Sequence, residues 1–502
     1  MRGLPILFSA WVAAFAAITW PASAGTITVV SAGDSGVGTL RTAIANAANG
    51  DVINFALTYP VTIFLTNGEL LVDKNITIAG PGAANLTISG NNGGRIFHVG
   101  PSNTATISAV TILDGLVTAG GVGAGIYLES ATLTLSGCTV RSNRATGGTT
   151  AHGGGIYGTQ STLNVFNCTL DSNVAGGNGG GIYNLGSIVT VDKSTITGNS
   201  AVNGGGVFSG SGTVSLTNSL VYTNTATHGG GIANLGTLGS ATLTINNCTL
   251  SSNTVSGASA TGSQIHNARQ LTTTSATISN STVLSNNVAA NYAGGAVYNE
   301  NGAITTIGNT IIHASSQEHT LLNVGAGSIT SAGYNLALDN GNGFLTQPTD
   351  LINTDPLLDI GTGPRDNGGP TFTIALQGNS PAIDKGKRNA MAMLAVPIDQ
   401  RGEPRPFNDP NIANASGGDA SDIGAYEADL RLTRLIRMTS DLQFSFTSIV
   451  GKTYQLQDRS SLVSGNWTSF GNMAAGNGGL TQLTATNAFA PTRQFFRVLQ
   501  TP

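Results

Sequence analysis

The chain has 502 residues, 69 of them glycine, with 9% charged and 40% hydrophobic side chains. Low charge with ample apolar content excludes intrinsic disorder, which needs the reverse balance. A net charge of −4 leaves no basic face, so nucleic acid is not an expected partner.

In chain order, Met1-Arg2 precedes the apolar run "LPILFSAWVAAFAAITW" and the small-residue site Ala22-Ser23-Ala24. This is the layout of a cleaved export signal over 1–24, with a mature chain from Gly25. No later stretch is apolar enough to span a bilayer. The expected location is therefore extracellular or on the outer cell surface, with no transmembrane segment in the mature chain. Residues 25–60 read as an N-terminal strand and a capping helix. In "GTLRTAIANAAN" Leu40, Ala43, Ile44 and Ala47 recur at helical spacing, with Asn-Gly following.

From 61 to 338 the chain repeats itself. "CTVRSN" at Cys138, "CTLDSN" at Cys168, "STITGN" at Ser194, "SLVYTN" at Ser219, "CTLSSN" at Cys248 and "STVLSN" at Ser281 share one register, with weaker copies at Val110 and Thr310. The starts lie 25 to 33 residues apart, so a fixed strand alternates with loops of unequal length. In each copy the first and third positions share a side, and the third is always Leu, Val or Ile, which makes that side the core. Asn closes every copy, at Asn143, Asn173, Asn199, Asn224, Asn253 and Asn286. Asn accepts left-handed turns, and stacked amides can bond up and down a column. A glycine run follows ("HGGGIY", "NGGGIY", "NGGGVF", "HGGGIA"), supplying a sharp bend before the next strand.

No single unit buries its own apolar side, but stacked units do. The predicted fold is all-β: a right-handed, single-stranded parallel β-helix of about nine coils, a rod about 40 Å long at ~4.8 Å per coil. Residues 339–428 are expected to cap its far end, because an open end exposes strand edges. From about 429 to 502 alternating strands such as "LQFSFTSIV" and "RQFFRVLQ" predict a small antiparallel β-sandwich. That segment is too short for an outer-membrane barrel.

These motifs resemble known families. The GGG[IV] and [LVI]xxN pair is similar to the GGAI and FxxN repeats of polymorphic outer-membrane proteins, with an aliphatic residue in place of Phe. More widely, the chain resembles the pectate-lyase-like β-helix superfamily. "RDNGGPTFTIALQGNSPAIDKGK" (365–387), "DQRGEPRP" (399–406) and "DIGAYE" (422–427) resemble the choice-of-anchor Q module, and "SAGDSGVGTLRTAIANAANGDVINF" (31–55) is similar to the CSLREA-type start of such proteins. The resemblance implies a secreted or surface-displayed β-helix. The expected role is structural or adhesive, with polysaccharide or a cell-surface component as partner. A polysaccharide lyase or glycoside hydrolase is the alternative.

Chemistry-bearing residues are sparse. A lyase would need a carboxylate cluster for calcium with an Arg or Lys base, and a hydrolase two or three carboxylates around one bond. Between 110 and 280 the only acids are Asp114, Glu129, Asp171 and Asp192. No catalytic residues, and no cofactor other than calcium, are expected. Arg141 and Asp171 stack as an exposed ion pair, and Asp192-Lys193 reads the same way. His152 and His228 share a turn position, but Asn178 and Asn203 lie between them, so they are too far apart for a shared metal. Tyr127, Tyr157, Tyr183 and Phe208 occupy one position in four successive coils. Facing outward they would form a carbohydrate-stacking strip, and facing inward a core ladder; the breaks at Ala233 and His266 favour the core. The odd count of three cysteines is no disulfide framework; Cys138 and Cys168, though adjacent, read with Cys248 as buried free thiols. Asp384, Asp399, Asp422 and Glu427 form the densest acidic set. They could take calcium, but local ion pairs with Arg401 and Arg405 suit them better.

Overall fold

The computed structural model describes residues 24–257, 259–285, 295–314, 319–361, 363–409, 412–428, 432–449, 451–460, 466–476, 480–488 and 495–501. The expected export signal therefore lies outside the described residues, save Ala24. The chain is a parallel β-solenoid. One of its sheets holds eleven rungs, from Val61–Phe64 to Leu336–Ala337, two more than expected. Ten steps of ~4.8 Å make the rod about 48 Å long.

The coil that starts the Tyr strip shows the construction. Ile126–Glu129, Thr132–Ser136 and Thr139–Arg141 are short strands whose alternation sends Ile126, Leu128, Leu133, Leu135 and Val140 into the central core. Each inward residue sits on its counterpart in the next coil: Val140 on Leu170, Leu170 on Ile196, Ile196 on Val221. Cys138, Cys168 and Cys248 are free and buried in this core. Their column continues with serines, each hydroxyl receiving the backbone N–H of the preceding coil, as from Cys168 to Ser194 at 3.0 Å.

The turn chemistry differs from the expectation in one detail. The left-handed residue is not the ladder Asn but the one before it: Ser142, Ser172, Thr223 and Ser252 have φ of 53–56°. The Asn that follows is thus free to turn its amide inward. The glycine run serves two purposes. Its first member takes a positive φ, as Gly153 does at +64°, whereas a Cβ on the second, Gly154, would meet the Val174 carbonyl oxygen at 2.4 Å. Gly154→Ala should therefore cost about 2–3 kcal/mol through overpacking against backbone that cannot yield. Gly137→Asn should stay within about 0.5 kcal/mol, because Gly137 (φ +62°) has open space and Asn167 and Asn218 hold that conformation in later coils. Urea midpoints of the two variants check both.

The helix Leu40–Asn46 closes the N-terminal end, with Thr39 accepting from Thr42 N–H and Leu40, Ala43 and Ile44 in the core. At the other end Phe344 and Leu345 pack onto the same core. Beyond residue 354 the chain does not continue as a cap. It returns along the outside of the solenoid, where Thr371 bonds the Asn218 carbonyl (3.1 Å), Thr249 bonds Gln400 (2.6 Å), Ala425 N–H bonds Thr282 (3.1 Å) and Asn309 bonds the Asp422 carbonyl (3.2 Å). Leu284, Ile311, Ile374, Leu376, Ile423 and Tyr426 form the core of this flank. The C-terminal segment makes two antiparallel sheets around Phe444, Phe446, Tyr454, Leu456 and Leu483.

Candidate functional site

Strand register places the aromatic strip in a longer column. Leu71, His98, Tyr127, Tyr157, Tyr183, Phe208, Ala233, His266, Tyr298 and Leu322 are Cα partners through successive coils. The column faces outward, since its neighbours Ile126 and Leu128 face the central core. Its middle is nonetheless covered: Tyr183 is 7% exposed, Phe208 1% and His266 4%. The strip thus matches neither expectation. It is outside the coil, yet Tyr157, Tyr183 and Phe208 lie face to face at 4.7 and 5.0 Å and form a separate small core with Leu235 and Ala268. Rings whose faces are spent on one another offer no stacking platform to a sugar.

The N-terminal end of the column, from Leu71 to Tyr157, is partly open, and there titratable groups gather. Glu69, Arg95, His98, Tyr127 and Glu129 converge from three successive coils. His98 Nδ1 lies 3.2 Å from Glu69 Oε1, and its Nε2 lies 3.2 Å from Glu129 Oε2. Arg95 donates to Glu69 Oε2 at 2.5 Å and to the Val122 carbonyl at 2.9 Å, and its guanidinium stands 5.0 Å from the Tyr127 ring. Local sequence sets this up: Tyr127 and Glu129 are two apart on Ile126–Glu129 and share the outward face, and His98 is the outward residue of Phe97–Val99. Burial, and then the Glu129 charge, raise the Tyr127 phenol above its ordinary value, so it stays a hydroxyl donor. Two shallow clefts of about 250 and 320 Å³ adjoin the cluster, one lined by Gly68 and Arg95, the other by Arg41, Glu69 and Lys74. The nearby cations are engaged within the protein: Arg41 with Asp34 (2.8 Å) and Lys74 with the helix-end carbonyl of Ala45 (2.8 Å).

A second cluster sits where the column is buried. His266 Nε2 meets Glu300 Oε1 at 3.1 Å, its Nδ1 meets Thr261 Oγ1 at 3.3 Å, and Thr261 Oγ1 also meets His228 Nδ1 at 2.7 Å. Glu300 is held below its ordinary value chiefly by the His266 bond, while burial, then Glu300, pushes Tyr298 up to about 12. Acid, base and hydroxyl are in the order that activates a nucleophile. Because His266 is sealed and the Thr261 hydroxyl is shared between two imidazoles, the arrangement ties coils together.

The other sequence-expected residues fall as follows. Asn143, Asn173, Asn199, Asn224 and Asn253 form one buried amide ladder, each Nδ2 donating to the next Oδ1 at 2.9 Å; Asn286 lies outside the described residues. Arg141 and Asp171 approach to 3.9 Å at the surface. Asp192 accepts from Asn218 (2.8 Å) instead. His152 and His228 occupy turns, with Asn178 N–H donating to His152 at 3.0 Å. Arg401 pairs with Asp399 (2.7 Å) and Arg405 faces Glu427 (3.8 Å) in the buried flank. Among the described residues no group of three or more His, Cys, Asp or Glu is arranged to hold a metal ion, and no helix is long and apolar enough to cross a membrane.

Sequence reasoning missed Glu69, Arg95 and His98, and at the far cluster Tyr298 and Glu300. His98 and Tyr298 carried a usable signal, one repeat before Tyr127 and one after His266. Glu69 and Arg95 precede their strands in loops, where no register points to them.

No family model matches the chain, and no curated protein matches it. Among solved structures the chain is similar to pectate lyase Pel9A, at 15% sequence identity and a TM-score of 0.43, with 81% of this chain and 97% of that chain covered.

Proposed function

We propose that the protein is an exported, surface-displayed β-solenoid that binds a neutral, hydroxyl-rich polysaccharide at the open end of the outward column. One observation carries this reading: in a chain with only 25 acidic residues, two carboxylates, an imidazole and a phenol converge at one solvent-reached spot. Carboxylates accept hydrogen bonds from sugar hydroxyls. Neutral rather than acidic polymers fit, because Arg41, Lys74 and Arg95 are already spent on protein partners. Export rests on the leader-like first 24 residues, and surface display on the choice-of-anchor Q-like blocks.

The test is co-sedimentation and calorimetry of the mature chain with neutral and acidic polysaccharides. Glu129→Gln combined with Tyr127→Ala should weaken binding about tenfold or more, the loss of one charge-assisted bond and a ring contact. Equal binding by that variant, or preference for acidic polymers, would overturn the proposal.

A second reading, cleavage of the same polymer, is favoured by the placing of His98 between two carboxylates, where a proton can move to or from a bound sugar. New reducing ends that vanish in His98→Asn would replace the binding reading by this one.

A further inference from the structure

The coil has a second outward face, and it is unlike the first. In the strand segment represented by Thr132–Ser136, the first and third residues point away from the core. Register carries the third position through ten coils without a slip, from Thr77 through Thr106, Thr134, Thr190 and Thr244 to Thr330. Nine of these ten residues bear a hydroxyl, and the tenth is Asn164. The first position runs beside it from Thr104 to Ser328, with hydroxyls at seven of nine places and Ile188 and Ile304 at the other two. Neither column holds a charged residue, and none of their members is buried.

The result is a two-dimensional lattice. Hydroxyls repeat every ~4.8 Å along the solenoid and every ~6.6 Å along the strand, over a length of about 43 Å. Threonine dominates it, and a β-branched side chain is stiff at χ1, so hydroxyl and methyl are held in fixed directions. A bulge is recorded at Asn184 to Ser187, but from Ile188 onward that pairing is regular. The returning flank covers the neighbouring column only from Asn246, which bonds the Leu394 carbonyl, and leaves the two hydroxyl columns open.

We infer that this face is an ice-binding surface, docking on the ordered water of an ice crystal. A hydroxyl exchanging one water partner for another gains almost nothing, so an isolated site of this chemistry would bind no soluble ligand. A rigid array gains only against a partner with matching repeats, because then all contacts form at once. Ice is such a partner: neutral, periodic, and built throughout of hydrogen-bond donors and acceptors. The missing charges fit the same occupant, since an ion must shed its hydration to lie against a crystal that cannot solvate it. A single glycan chain fits poorly, for neither column holds an aromatic residue to stack on a sugar ring. A cleft of about 340 Å³ takes in the N-terminal end of the first column, where Thr104, Thr132, Thr162 and Ile188 line it together with Ser102, Ser130 and Gln160; the third-position column lies outside it.

The experiment uses the mature full chain with a fluorescent label, scored for partition into a growing ice hemisphere and for inhibition of recrystallisation in sucrose. Strong partition is expected. Thr134→Lys with Thr244→Lys, both at partly exposed positions, should lower it about tenfold or more by breaking the simultaneous fit. Thr139→Lys, outward on a different sheet, should leave it unchanged, as should Glu129→Gln at the polysaccharide-binding cluster. Circular dichroism and melting midpoints establish that every variant is folded. Absence of the wild type from ice, or undiminished partition of the double Lys variant, overturns the inference. Binding to crystalline cellulose or chitin that the same Lys pair abolishes would also overturn it, assigning the lattice to a crystalline glycan.

Discussion

Arg405→Met is expected to undock the flank formed by residues 355–428. Arg405 is buried and donates to the carbonyls of Asp422 (3.2 Å) and Gly424 (2.7 Å), with its Nε 3.8 Å from Glu427. Glu427 is fully buried too, and accepts N–H bonds from Phe407 (2.6 Å) and Asp422 (3.0 Å). Removing one member of a buried charge pair costs about 3–5 kcal/mol, because the other charge is stranded. The same network gives the flank a pH dependence of definite sign. Burial pushes Glu427 up to about 7, against the opposing pull of Arg405, and pushes Asp422 up as well. Between the ordinary carboxylate range and about 7 the folded protein holds a proton that the unfolded chain has lost. Stability is therefore greatest at mildly acidic pH and falls as pH rises through 7. Without Arg405 the fall should extend to higher pH, since the interaction holding Glu427 down is gone. Limited proteolysis and melting midpoints across this range report both effects. A melting point for Arg405→Met equal to the parent's, or wild-type stability that climbs from pH 5 to 8, would refute the account.

Short-range and periodic features were legible in the sequence, and long-range ones were not. The third-position aliphatics declared the core because alternation in a strand is a local property. Only six clear copies carry the full motif, so early rungs such as Val61–Phe64 and the final Leu336–Ala337, which lack it, were undercounted. The Asp399–Arg401 pair was visible because its members are two residues apart. By contrast, the flank's docking depends on partners 113 to 158 residues distant, such as Asn309 with Asp422 and Asn247 with Arg405. No local pattern encodes that return path. Within the outward column the register was readable but its exposure was not, because turns from neighbouring coils decide which rings are covered.

Asn199→Ala is the largest effect expected within the solenoid. The Asn199 amide is fully buried and uses its whole capacity. Its Oδ1 accepts from both the backbone N–H and the Nδ2 of Asn173 at 2.9 Å, and its Nδ2 donates to the Leu170 carbonyl (3.0 Å) and Asn224 Oδ1 (2.9 Å). Alanine orphans the buried Asn173 backbone N–H and takes one partner each from Asn173 Nδ2, which keeps the Val140 carbonyl, from the Leu170 carbonyl, and from Asn224 Oδ1, which keeps the Asn199 N–H. At about 1–3 kcal/mol for the orphaned N–H, with a smaller cost for each lost partner, the loss should be on the order of 5 kcal/mol. Asn199→Asp keeps the two accepting contacts but cannot donate, and it sets a buried charge against Asn224 Oδ1. It should be comparably damaging at neutral pH and recover partly in acid, when the carboxyl regains a proton to give. Thr197→Ala, two residues earlier and on the outer face, should change stability by less than about 0.5 kcal/mol. Because a solenoid's stability is the sum of its coils and their interfaces, a break in the middle weakens both neighbours and should split one unfolding transition into two. Hydrogen exchange at the rungs on either side of Asn199 measures this directly. Protection there that matches the parent would show that the amide column is dispensable to the stack.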